Sequence, residues 1–98
     1  MATKFEDLLR LRNTKANLRD QLTNVVRDIP TATKLDIGYR LFTPGSGWSF
    51  ATAQVDSNYL TAYELSAYIE WVKVIRDRCA AEVDALDTKL AAVEEMLS

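Results

Sequence analysis

The strongest constraint on this chain is the stretch from Thr61 to Leu97, where no Pro or Gly interrupts residues that favour helix. About 36 residues at ~1.5 Å rise make a rod of about 54 Å. That is longer than a compact ball of 98 residues can hold. The stretch opens with Thr61-Ala62-Tyr63-Glu64, a capping box, and Leu60 and Leu65 take the two positions of a hydrophobic staple. Large apolar residues then recur at Leu65, Tyr68, Val72, Ile75, Cys79, Val83, Leu86, Leu90, Val93 and Leu97. This is a heptad seam with one stutter between Ile75 and Val83, which separates the rod into two packing units. The first unit also carries Tyr63, Ala67, Ile69, Trp71 and Val74 off the seam, so it is expected to be covered on two sides. The second unit, polar off the seam, is expected to be covered on one.

Such a seam needs a partner, and the N-terminal third of the chain supplies one. After a capping box at Thr3-Lys4-Phe5-Glu6, the residues Leu8, Leu11, Lys15, Leu18, Leu22, Val25 and Ile29 form a second heptad seam, and Pro30 ends it. Lys15 is the one charge within that seam. Its stem can lie along the apolar row while the ammonium reaches water or a carboxylate of the other helix, or it can fix register or oligomer state. Charge favours antiparallel pairing of the two helices. Residues 1 to 34 hold seven Lys or Arg against four Asp or Glu, and residues 61 to 98 hold four against eight.

Between the helices the period falls to two. Leu35, Ile37, Tyr39 and Leu41 alternate with Asp36, Gly38, Arg40 and Phe42, and after the turn Pro44-Gly45-Ser46-Gly47 the residues Trp48 to Val55 read as the returning strand. The loop is expected to be about four residues long. The fold class is therefore α+β, mostly helical, in a single domain spanning residues 1–98: a helix at about 4–29, a β-hairpin at about 35–55 and a long helix at about 61–97. The two helices are expected to pack as an antiparallel coiled-coil-like hairpin, with oligomerisation, a dimer being favoured. An isolated β-hairpin is marginal in water, so this one is expected to lie on the first half of the long helix or to extend its sheet across a subunit boundary.

Catalytic chemistry has little to work with. There is no His for acid–base catalysis, and the lone Cys79 falls on a helix seam with no base beside it. Its position suits a buried structural thiol. No Cys and His cluster suits a metal, and Gly45-Ser46-Gly47 is not followed by the Lys of a phosphate loop. The expectation is a non-enzyme without cofactor. No apolar run is long enough for a membrane span and no signal peptide is evident, so a cytoplasmic location is the default.

The sharper signal is aromatic: eight of the nine aromatic residues lie between Tyr39 and Trp71. They can fill a core between hairpin and helix. They can equally form a recognition surface, and Tyr39, Arg40, Phe42, Trp48, Phe50, Tyr63 and Trp71 are the candidate binding residues, since exposed Trp, Tyr and Arg are enriched at binding hot spots. Three functions follow as expectations. The first is a non-catalytic protein-interaction module, a small inhibitor or adaptor of the kind viruses encode, occupying a surface of a larger protein or complex. The second is an oligomer that sequesters a small nucleotide-like ligand in aromatic pockets beside Arg40 or Lys34. The third is a structural or chaperone subunit, because the order helix, hairpin, helix resembles that of prefoldin subunits, whose hairpins assemble a central sheet. Extended nucleic acid is not expected, since the basic residues of the first helix are interrupted by acids.

Overall fold

The computed structural model describes residues 4–97. It is mostly helical: α1 (Lys4–Asp28), β1 (Lys34–Thr43), β2 (Gly47–Asp56) and α2 (Ala62–Leu97), with short 3-10 turns at Ile29–Thr31 and Ser57–Tyr59. The capping box expected at Thr3 falls on a residue outside the described range. The one at α2 is formed: the Thr61 N–H donates to Glu64 Oε1 and the Glu64 N–H to Thr61 Oγ1, both at 3.1 Å. α1 stops one residue short of Ile29. Pro30 forces the preceding backbone out of α geometry, and the chain tightens into a 3-10 turn closed by the Ala32 N–H on the Ile29 carbonyl.

β1 and β2 pair antiparallel over ten residue pairs, from Lys34 with Asp56 to Thr43 with Gly47. The loop is thus three residues, not four. The Ser46 N–H closes it on the Thr43 carbonyl at 3.0 Å, and the positive φ of Gly45 (89°) and Gly47 (78°) lets the chain reverse and rejoin the ladder at once. At the other end, the Ser57 N–H donates to the Thr33 carbonyl at 2.9 Å and pins the neck of the hairpin. Gly38 is demanded by a close approach rather than by a turn, for a Cβ there would overlap the Ala51 carbonyl.

The two helices lie side by side. Arg12 Nε meets Asp87 Oδ1 and Lys15 Nζ meets Glu82 Oε2, both at 2.9 Å, so residue numbers rise on one helix as they fall on the other. Lys15 takes the first of its two readings, with its ammonium on a carboxylate of the other helix, and that hydrogen bond raises its pKa. The buried apolar residues are Ala16, Ile29, Val72, Cys79, Val83, Leu86 and Leu90. Five of the seven belong to the predicted α2 seam. On α1 the expectation needs correcting. Leu11 and Leu18 of its predicted seam are exposed, and Ala16, off that seam, is the buried residue. The helix is turned so that its smallest side chain faces inward, beside the Lys15 to Glu82 pair.

The larger correction concerns the hairpin. It does not cover the first half of α2: Tyr63, Tyr68, Trp71 and Val74 are all exposed, and the second half of α2 is the better buried. The hairpin meets the helices at its neck, where Leu35, Ile37 and Gly38 share a groove with Leu65 and Tyr68. The molecule measures 57 × 35 × 15 Å. α2 accounts for the longest dimension, and the strands, at ~3.3 Å per residue about 33 Å long, account for the second. The third is one layer thick.

Truncating Val83, the most deeply buried side chain, should cost about 2 kcal/mol or more as Val83→Ala; a loss well under that in chemical denaturation would mean the seam is not the core. Hydrogen bonding from Thr61 holds the Glu64 carboxyl below its ordinary range. A depressed carboxyl adds stability that is present above its unfolded-state pKa and fades as pH falls through the folded one. The acid loss of thermal stability should therefore be smaller in Glu64→Gln than in the wild type; identical acid profiles would contradict the cap.

Candidate interaction surface on the projecting hairpin

Residues directly opposite in an antiparallel ladder share a face, so the register sorts the strands into two faces. One is aliphatic: Leu35 opposite Val55, Ile37 opposite Ala53, Tyr39 opposite Ala51, and Leu41 opposite Ser49. The other sets Arg40 against Phe50 and Phe42 against Trp48. There the Phe42 and Trp48 rings stand 5.3 Å apart at 59°, a tilted arrangement of the kind aromatic pairs prefer. The Arg40 guanidinium carbon sits 4.7 Å from the centre of the Trp48 ring, within reach of a cation–π contact. The guanidinium and indole therefore hold one another in place over an otherwise open surface.

All of this lies outside the core. Phe42 is 59% exposed, Trp48 62% and Phe50 74%. Four of the seven candidate residues, Arg40, Phe42, Trp48 and Phe50, are thus gathered on one face. Tyr39 is on the opposite face of the same hairpin. Tyr63 and Trp71 are on α2, exposed but not joined to the aromatic face of the hairpin, and the Trp71 ring instead lies 6.0 Å from that of Tyr68.

A feature not anticipated is the groove between the hairpin neck and the start of α2, about 400 Å³, walled by Ile29, Leu35, Ile37, Leu60, Leu65 and Tyr68. The staple residues Leu60 and Leu65 were its signal in the sequence. A staple fixes the angle at which the chain enters the helix, and here that places the neck of the hairpin beside the first turns. The charged residues at its walls, Asp36 and Glu64, are both acidic, and neither Lys34 nor Arg40 lines it. A nucleotide phosphate would meet repulsion there.

Among the described residues no group of three His, Cys, Asp or Glu could hold a metal ion, and no helix is long and apolar enough to cross a membrane. The chain matches no protein-family model, and no curated protein or solved structure is significantly similar to it.

Because Trp48 and Phe50 contact little beyond their cross-strand neighbours, Trp48→Ala and Phe50→Ala should each change folding stability by less than about 1 kcal/mol. Chemical denaturation checks this; a loss of several kcal/mol would make the aromatic face part of a core.

Proposed function

We propose that this chain is a non-catalytic interaction module that docks on a larger protein or complex through the aromatic face of its hairpin, as a small inhibitor or adaptor. The observation that carries the reading is the gathering of Arg40, Phe42, Trp48 and Phe50 on one exposed, cross-braced face. These are the residue types that dominate binding energies, and the cation–π and ring contacts restrict them before any partner arrives, which lowers the ordering cost of association. In this reading the helices pair as an antiparallel coiled-coil-like hairpin and act as the stem that holds the face, in an assembly of more than one copy. The sequestering alternative draws less support: the enclosed space is aliphatic with acidic walls, whereas the cation and the aromatics stand on the open face.

The test is capture of the partner from the natural host background, followed by measured affinity for whatever protein is held in fixed stoichiometry. Trp48→Ala or Arg40→Ala should weaken binding by about 2 kcal/mol, roughly thirtyfold, with helicity and unfolding midpoint unchanged. Undiminished affinity in both variants would move the contact elsewhere.

A further inference from the structure

The two ion pairs between the helices distinguish their two flanks. A step of seven residues keeps a position on nearly the same side of a helix. From Lys15 and Glu82, one such step toward the hairpin on each helix reaches Leu22 and Ile75, and the next reaches Ile29 and Tyr68, which do meet as walls of the groove. From Arg12 and Asp87 the same steps reach Arg19 with Ala80, then Val26 with Lys73. The first flank is thus apolar toward the hairpin, while the second is mixed, with Arg19 and Lys73 set beside Ala80 and Val26.

The apolar flank widens on both helices. Leu18 stands three residues after Lys15 and four before Leu22, and Val25 follows it by seven. On α2, Trp71 stands between Tyr68 and Ile75 with its ring against that of Tyr68. Leu18 is 40% exposed and Trp71 59%. At the hairpin end the strip meets the groove, where Ile29 and Tyr68 line the same space as Leu35 and Ile37 of the aliphatic face.

We propose that a second copy of this chain covers this flank, the two protomers packing about a two-fold axis so that each supplies the other's missing layer. This deepens the assembly part of the reading above and leaves the aromatic face of the hairpin open. Area identifies the occupant. A compact monomer of 11.1 kDa exposes about 5,700 Å², whereas this chain exposes 7673 Å². Covering the excess of about 2,000 Å² on each of two chains buries about 4,000 Å², the size of an obligate interface and more than twice that of a standard complex. The burial would serve the fold itself, because seven buried residues among those described, 4–97, make a thin core. Only a copy of the chain is always present at equal concentration, and two-fold dimers are the commonest way for like chains to satisfy one another.

The chain has two tryptophans, Trp48 and Trp71, of nearly equal exposure in a single protomer. That makes a test that keeps an aromatic side chain at both positions. In purified protein, Trp48→Phe isolates Trp71 and Trp71→Phe isolates Trp48. Iodide should quench Trp71 several-fold less than Trp48, and sedimentation should give twice the 11.1 kDa chain mass. The double variant Leu18→Glu with Val25→Glu should sediment as a monomer, while Thr23→Glu with Ala91→Glu, exposed positions away from this flank, should stay dimeric. A wild-type monomer, a dimer in which both tryptophans quench alike, or a dimer indifferent to the Leu18 and Val25 changes would overturn the proposal. Trp48→Ala separates the two readings, since it should weaken partner binding roughly thirtyfold and leave the doubled mass in place.

Discussion

Everything in this structure follows from its having one layer. A helix or a sheet is apolar on one side and must bury that side against another element, so stable domains stack at least two layers around a core. Here two helices lie side by side and a hairpin projects across their end, within a thickness of 15 Å. The radius of gyration is 18.2 Å, against about 13 Å for a compact chain of this length. The contact between the helices buries one seam, from Val72 to Leu90 on α2, and leaves the other apolar surfaces facing outward.

The local chemistry is nevertheless well satisfied. The capping box at Thr61 ties down the start of α2, the hairpin neck is closed on Thr33, and among the described residues no buried side-chain polar atom lacks a partner. The ion pairs between the helices, Arg12 with Asp87 and Lys15 with Glu82, are largely exposed and each contributes little energy. The unmet demand is apolar. Leu18, Trp71, Ile37 and Leu41 are large, exposed and close to continuous with one another through the groove, which is the surface character of an interface rather than of scattered surface residues. The proposed function and the proposed dimer divide this surface: the aliphatic strip for a second copy, the aromatic face of Arg40, Phe42, Trp48 and Phe50 for a different protein.

Much of the fold was legible in the sequence, because it is encoded in short-range patterns. The order of elements and their bounds to about a residue came from periodicity, from Pro30, and from the glycines of the turn. The Thr61 to Glu64 cap was readable from four residues. The seam of α2 was readable because its heptad spacing is broken by only one stutter, between Ile75 and Val83. What failed was the assignment of partners. Periodicity says which residues share a face, but not which element covers it, so Tyr63, Trp71 and Val74 read as a second face covered by the hairpin and are exposed in the single chain. The orientation of α1 was legible in part: Leu8, Leu22 and Val25 of its predicted seam are half-buried and Ile29 is buried, but Leu11 and Leu18 are exposed and Ala16, too small to stand out in the pattern, is buried. The aromatic face was legible as a set of residue types, but only the register showed that Tyr39 lies apart from Arg40 and Trp48. The groove depends on the angle at the hairpin neck, which no local pattern states.

The central claim is that this chain is half of a folded unit. The most direct test is the thermal unfolding midpoint measured over a hundredfold range of protein concentration. A fold completed by a second copy is stabilised by mass action, so the midpoint should climb steadily with concentration. A midpoint that stays constant across the range would show that one chain suffices, and would contradict the account.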